Sequence, residues 1–547
     1  MTPFLGFRLW IRRAPTGERV LVVGAVALVL TLIAWACVPV AGQPGPAQAS
    51  GVVGGAKGPM SQSHAGSSST TSTSATKIVG TTTTVANPGP GAPSPSGRAT
   101  AGIVSGAGTT VNVGAGAGTT TTTTTAAGQG NAQSNPTCGV SGSTDQGVTS
   151  SDIGIDVDVA DLAGQAGNSL VGLPSPQQEE AYFATAIASA NALGGARCRQ
   201  IVAKYYTANP LDQSSLQALC LNIVADHPFA LLDDGLASPV GSVTPRDCPP
   251  ENKVPEFGSL PLSQAEATKF APYLFSYNET SENIVNDWIF GANHLNWFTG
   301  AKKVGLLEQD CIPDLNTLAL SDLAKIGFPT SDVATFDFGC PNTIPSPADV
   351  EEAVLQFKSD GVTNVLDDGG VYESYFSNDA QTEGYMPKYS VGDQGTIALW
   401  DNRDFGPNAS NFSGGLAITP TEYGAENTTG STYSAATQYC DQIMAAKGLA
   451  SAQTSPDAFA GVACDLVTMF VQAADAAPQL VRADLAAGLA SLGQVDLSYP
   501  SGPANFARSQ GQYGGGYWRA DTWMTACACF QVSESTFNPS FSMSSSS

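Results

Sequence analysis

The feature that most narrows the fold is a repeated punctuation. Apolar runs end abruptly on acids and glycines, and helix-like stretches alternate with strand-like runs along the chain: FALLDDG (229–235), KVGLLEQD (303–310), NVLDDGG (364–370) and SVGDQ (390–394) are the runs so ended. Runs of this length and composition read as buried strands, and strands that alternate with helices are built into parallel sheets covered on both faces. In such sheets ligands bind outside the carboxyl ends of the strands. The acids and glycines all fall on that edge, although Asp and Gly also serve there as ordinary turn residues.

The helices are written as clearly. Ser175, Pro176 and Gln178 spell an N-cap, a first-turn proline and a capping box, and Phe183, Ile187 and Ala190 follow at helical spacing. A second helix spans 212–227 with Leu216, Leu219, Ile223 and Val224 on one face. Ser281 caps another, bearing Ile284, Trp288 and Leu295, and Ser346 with Pro347 starts one that Gly361 closes. Strands are predicted at 153–159, 199–206, 229–235 and 253–259, then at 302–310, 332–338, 362–366 and 388–394. That is two successive βα series, hence two layered lobes. Asp156 and Asp158 place carboxylates on the first strand, which predicts a sheet face open to water there. GQYGGGYW (511–518) reads as part of a hairpin near the C-terminus, and 531–547 as a flexible tail.

The first 137 residues have a different character. Val20–Val40 is an uncharged apolar stretch of 21 residues, long enough to cross a bilayer, and Arg8, Arg12, Arg13 and Arg19 before it put residues 1–19 in the cytoplasm. A cleaved signal peptide and a lipid on Cys37 are rival readings; the length and the bulky Trp35 favour a retained anchor. Residues 41–137 are Gly, Ala, Ser, Thr and Pro, with Lys57, Lys77 and Arg98 as their only charges. Such a segment cannot bury enough apolar surface to order itself. As a flexible tether it reaches roughly 50 to 60 Å.

After residue 137 the chain carries 46 acids against 16 bases. Nucleic acid is excluded as a partner, because phosphate binding needs a basic footprint. Ten of the 11 cysteines lie there, an even number that suggests disulfides in an exported chain. With three histidines in the chain and Cys527 and Cys529 as the only tight cysteine pair, a zinc site has little support. No nucleotide-binding loop or nucleophile elbow is present, so neither cofactor nor catalytic residue is assigned. Asp367 and Asp368 are adjacent on a strand and point to opposite faces, which argues against an acid/base pair.

The order of these motifs resembles the type 1 periplasmic binding proteins of the branched-chain amino acid and amide group. The similar stretches are GVTSSDIGID (147–156), GARCRQIVAKYYTANP (195–210), GAKKVGLLEQD (300–310) and ADVEEAVLQFKSDGVTNVL (348–366). The resemblance implies an α/β fold of two Rossmann-like lobes with parallel sheets joined by three crossings, near 277–281, near 414–420 and after the helices at 456–491. Lobe 1 is then 138–280 with parts of 420–500, and lobe 2 is 281–413 with parts of 500–530. It also implies ligand-binding positions: Asp234, Leu236, Ala237, Ser238 and Ser259 in lobe 1, and Asp310, Asp368, Gly369, Tyr372 and Gln394 in lobe 2. A disulfide Cys198–Cys220 matches the family; Cys311–Cys340 and Cys440–Cys464 are further expected pairs. Asp233 and Asp234 stand where the family prefers Gly and Ser, and a Pro- and Cys-rich link at 239–252 replaces a helix.

The resulting expectation is an extracytoplasmic, membrane-tethered receptor for a small polar, amine-bearing ligand, partnered by an ABC permease. A surface sensor that reuses the fold ranks second, and a hydrolase third.

Overall fold

The computed structural model describes residues 142–541, apart from 163, 165–167, 169–172, 211, 236–247, 309–312, 340–345, 368–371, 393–405, 452–458 and 499–501. The expected anchor at 20–40, the tether at 41–137 and Cys37 lie outside the described residues.

The first lobe follows β1 (Asp152–Ala160), α1 (Pro176–Ala192), β2 (Gln200–Ala208), α2 (Gln213–Asp226), β3 (Ala230–Asp233), a short α3 (Cys248–Glu251), β4 (Glu256–Gly258), α4 (Gln264–Lys269) and β5 (Leu274–Ser276). The five strands pair in the order β2-β1-β3-β4-β5, all parallel. One face carries Ile155, Val157, Leu232, Phe257 and Phe275, which pack with Tyr182 and Phe183 of α1. The predicted capping box is present: the Ser175 hydroxyl accepts from the Gln178 N–H, and Gln178 returns a bond to the Ser175 N–H.

The opposite face corrects an expectation. Asp156 and Asp158 are 3% and 1% exposed, so no water-facing surface opens there. Leu216, Leu219 and Ile223 of α2 close over Leu231 on that face, and the two carboxyls are trapped beneath the layer.

The second lobe begins with α5 (Ser281–His294), whose N-cap is Thr280 rather than Ser281; the Thr280 hydroxyl accepts from the Asn283 N–H. It continues through β6 (Val304–Glu308), α6 (Pro313–Lys325), β7 (Val333–Asp337), α7 (Pro347–Asp360), β8 (Asn364–Asp367), α8 (Tyr372–Thr382), β9 (Lys388–Val391) and β10 (Leu416–Thr419). Gly361 closes α7 in the left-handed region, as expected. Gly392 is required after β9, because a Cβ there would lie 2.3 Å from the Trp288 ring. Trp288 in turn donates from Nε1 to the Ser390 hydroxyl at 3.0 Å.

The chain then returns to the first lobe as α9 (Ala435–Ala445), α10 (Phe459–Ala476) and α11 (Leu485–Leu492). α10 is long and apolar enough to cross a membrane, but it is a core helix. Its Phe470 packs edge-on against Phe229 and Phe257. After a small ladder of β11 (Gln494–Asp496) and β12 (Pro503–Asn505), the chain crosses back and forms a hairpin of β13 (Tyr517–Met524) and β14 (Cys529–Pro539).

β13 pairs antiparallel with β10, so the second sheet is mixed, in the order β14-β13-β10-β9-β8-β6-β7. The expected flexible tail is therefore corrected as far as Phe541. β14 is part of the sheet, Ser540 is buried, and Phe541 stacks on Trp518 with centroids 5.5 Å apart.

The described disulfides are Cys220–Cys248, Cys440–Cys464 and Cys527–Cys529. The expected Cys198–Cys220 bridge is replaced, because α3 brings Cys248 against α2 within the Pro-rich link. Cys198 is itself disulfide-bonded. Cys311 and Cys340 lie outside the described residues.

Candidate functional site

Three passages join the lobes: after β5, after β10, and before β13. The first and third run side by side. Ser276 N donates to the Gln512 carbonyl, and Gly514 N donates back to the Ser276 carbonyl, both at 2.9 Å. A Cβ on Gly515 would fall 2.5 Å from the Glu279 nitrogen, so this close approach needs glycine.

At the joint the first passage meets the carboxyl ends of two strands of the second sheet. Glu279, just beyond β5, shares a small cavity with Gly392, Thr419 and Pro420 at the carboxyl ends of β9 and β10, closed behind by Asp287 and Trp518. Glu279 forms an ion pair with Arg508 at 2.9 Å and accepts from Asn283 Nδ2 at 2.7 Å. Asp287 accepts from the Ser540 hydroxyl and the Phe541 N–H; burial nevertheless pushes its carboxyl up to about 7.

Further along the first sheet's edge lies a group of buried acids. Asp158 and Asp233 sit opposite each other on β1 and β3 and share a face, and Asp234 follows. Carboxylate oxygens of all three lie within 4.8 Å of one another, at 1–3% exposure. Each is anchored by a backbone N–H: Asp158 by Asp234 N at 3.3 Å, Asp233 by Gly235 N at 2.8 Å, and Asp234 by Ala160 N at 3.1 Å.

Glu179, from the first turn of α1, is 1% exposed and stands against Asp234 and Asp158. The Asp234 carboxyl and the Ala160 N–H lie against its own carboxyl. Burial first, and then the neighbouring carboxylates, push both Asp158 and Glu179 well above the usual carboxylate range.

Of the residues expected to bind ligand, Asp234 and Ser259 are brought together: the Ser259 hydroxyl donates to the Asp234 carbonyl. Gly235 must be glycine between them, since its φ is +88° and a Cβ would meet Ser259 Oγ. Tyr372 begins α8. Leu236, Ala237, Ser238, Asp310, Asp368, Gly369 and Gln394 lie outside the described residues.

Sequence reasoning missed Glu179, Glu279, Asp287 and Arg508. For Glu179 the signal was available, since the capping box fixes the phase of α1 and places its first turn at the sheet edge. The other three depend on chain crossings far apart in sequence.

No family model and no curated protein matches this sequence. Solved structures do match. A fatty acid ABC transporter substrate-binding protein from Thermomonospora curvata superposes with a TM-score of 0.52 at 14% identity, over 74% of this chain and 95% of that one. The branched-chain amino acid transporter substrate-binding protein of Streptococcus pneumoniae, in complex with isoleucine, gives 0.50 at 15% identity over 71% and 100%. A possible leucine/isoleucine/valine-binding protein from Rhodopirellula baltica gives 0.50 at 13% over 70% and 97%. With the two layered lobes and three passages described above, these matches show that the chain has the fold of the type 1 periplasmic binding proteins.

Proposed function

We propose that the protein is an extracytoplasmic, membrane-tethered solute receptor that closes its two lobes on a small polar ligand and delivers it to an ABC permease. One observation carries this reading: two layered βα lobes are joined by three passages, and at the joint Glu279 of the first passage shares a small cavity with Gly392, Thr419 and Pro420 at the carboxyl ends of β9 and β10. Three adjacent passages allow rotation about the joint while the lobes stay folded, and a ligand touching both edges favours the closed state. The structural neighbours named above are substrate-binding proteins, which supports binding over turnover.

An amine-bearing ligand suits the edge chemistry. Glu308 and Asp367 end β6 and β8 with buried carboxyls, so this edge is acidic in character and a cationic amine complements it. Asp310 and Asp368 follow on the same edge in sequence. The Ser259 hydroxyl, engaged with the Asp234 carbonyl, shapes the lobe 1 rim, and its backbone remains a candidate contact.

The test is a thermal-shift screen of the full chain against amino acids, amides, short peptides and fatty acids. A cognate ligand at a hundred times its Kd should stabilise by about 2.7 kcal/mol. Asp368→Ala should weaken that shift while leaving the circular dichroism spectrum of the free protein unchanged. A shift with fatty acids alone would overturn the amine-bearing ligand; no shift with any class would favour a sensor or adhesion role instead.

A further inference from the structure

We propose that Cys527 and Cys529, at the tip of the β13–β14 hairpin, form a thiol–disulfide exchange site whose partner is an external dithiol. The proposal does not depend on the receptor reading, because the pair lies within one hairpin of lobe 2.

The argument begins with how little of the fold this bridge holds. The other two described bridges span sequence separations of 24 and 28: Cys440–Cys464 ties α9 to α10, and Cys220–Cys248 ties α2 to α3. A crosslink that restrains a long loop stabilises the folded state, and the folded state in turn protects that crosslink from reduction. Cys527 and Cys529 are only two residues apart, in a turn that the strand ladder already closes, since Met524 pairs with Cys529 as its last rung. The fold gives this bridge little protection.

Access is the independent observation. Thr525 and Ala526 in the turn are exposed, Met524 is 40% exposed, and Cys527 stands half-buried beside them, whereas Cys529 is 6% exposed. The bridge therefore offers one sulfur to solvent and keeps the other covered. Cys440 and Cys464 are both buried. Cys220 and Cys248 are half-buried, so it is the longer loop, not burial, that sets them apart from the hairpin pair. Ala528, between the two hairpin cysteines, has φ +52°, a left-handed conformation that a residue with a Cβ adopts at a cost. Opening the ring removes one restraint that keeps it there. Exposed disulfides that the fold does not protect are the exchangeable ones.

This asymmetry orders the steps. A thiolate of the partner attacks Cys527 Sγ, and the electron pair of the S–S bond leaves on Cys529 Sγ, which takes up the proton that the attacking thiol gave up. The partner's second thiol, deprotonated in turn, attacks the partner's own sulfur in the mixed disulfide, and Cys527 leaves as a thiolate and is protonated. The partner is oxidised to a disulfide and the hairpin holds two thiols. A disulfide-bearing partner runs the same steps backwards. A monothiol stalls, because Cys529 lies two residues from the adduct on Cys527, displaces it and restores the bridge. That selects a dithiol as the reductant.

The experiment treats the full chain with reduced dithiothreitol, with reduced glutathione and with a reduced Cys-X-X-Cys oxidoreductase, followed by N-ethylmaleimide and mass mapping of the labelled cysteines. Cys527 and Cys529 should be labelled at about tenfold lower dithiothreitol than Cys220, Cys248, Cys440 and Cys464, with an unchanged circular dichroism spectrum, and glutathione at the same thiol concentration should label them far less. Labelling by a catalytic amount of the oxidoreductase would assign the role to a protein dithiol, and labelling by dithiothreitol alone to a small one. Oxidised glutathione added to the reduced chain should restore the bridge in wild type and remain attached to Cys527 in Cys529→Ser. Cys527→Ser, whose remaining sulfur is covered, should take up glutathione about tenfold more slowly than Cys529→Ser.

Should a variant fail to fold, the order of labelling in wild type decides the matter. Opening of the hairpin bridge together with or after the other two overturns the proposal, as does loss of the circular dichroism spectrum when it opens. Glutathione retained by wild type as firmly as by Cys529→Ser also overturns it, since Cys529 would then not displace an adduct. So do equal rates in the two variants, because the pair would then present both sulfurs alike.

Discussion

The joint between the lobes and the strand-end edge of lobe 1 are built from the same residue types and satisfy them in opposite ways. At the joint each buried acid meets a base or a donor. Glu279 has Arg508 and Asn283, Asp287 has Ser540 and the Phe541 N–H, and Glu422 has the Thr437 hydroxyl at 2.6 Å and the Ser434 N–H at 2.9 Å. At the lobe 1 edge, Asp158 is held by the Asp234 N–H and Glu179 lies against the Asp234 carboxyl and the Ala160 N–H, with other carboxylates as the charged neighbours of both. The contrast separates two uses of buried charge. The joint fixes how three distant segments meet through ion pairs and hydrogen bonds, whereas the acids of the lobe 1 edge lie against one another within one lobe.

The largest effect should come from unbalancing the joint. Arg508→Met leaves Glu279, 2% exposed at its side chain, without its guanidinium. Removing one partner of a buried ion pair costs about 3 to 5 kcal/mol, because the remaining charge is stranded. Urea denaturation at neutral pH should show a loss of that size, and Glu279→Gln in the same chain should recover most of it. If the single variant loses under 1 kcal/mol, the joint is not self-completed and the comparison with lobe 1 fails.

The asymmetry also governs what could be read from the sequence. Local grammar was largely legible: the cap at Ser175 and the stop at Gly361 stand where the pattern puts them, β3 and β8 end within two residues of the expected ends, and the cap of α5 falls on Thr280, one residue before the expected Ser281. The fold followed, because βα alternation admits few arrangements.

Pairings decided across the chain were not legible. Cys220 bonds Cys248 because a four-residue helix forms inside a link that reads as irregular, and no spacing rule predicts that. Arg508 meets Glu279 across 229 residues. The buried state of Asp156 and Asp158 was misread for a related reason: alternation shows that they share a face but not that α2 covers it.

A smaller effect at the joint is expected from pH. Asp287 is raised from 3.8 to about 7, burial being the main cause, with the Ser540 hydroxyl and the Phe541 N–H opposing it and Glu279 and Arg508 the charges nearby. The folded state then holds a proton that the unfolded chain releases near its ordinary value. This contribution is fully present below about pH 4 and is lost as pH rises through about 7, at up to 1.4 kcal/mol per pH unit. Asp521, raised to about 7 by burial beside Arg519, adds a slope of the same sign. In Asp287→Asn the fall in stability between pH 5 and 7 should shrink by about one proton's worth, some 2 kcal/mol. An unchanged slope would mean that Asp287 is ionised in the folded protein, as a fully satisfied joint carboxylate would be.

The smallest effect tests lobe 1 through its helix cap rather than its acids. Ser175→Ala removes the hydroxyl that accepts from the Gln178 N–H and should cost about 1 kcal/mol. Because Glu179 lies in the turn that this box holds in place, fraying there should also loosen the fourth carboxylate. Amide hydrogen exchange in the first turn of α1 should therefore speed up in Ser175→Ala, while Ser346→Ala, the equivalent cap on α7 in lobe 2, should cost similar stability and leave exchange in α1 unchanged. Equal exchange in α1 for the two cap variants would detach the capping box from the placement of Glu179 and leave the lobe 1 acids no different in kind from those at the joint.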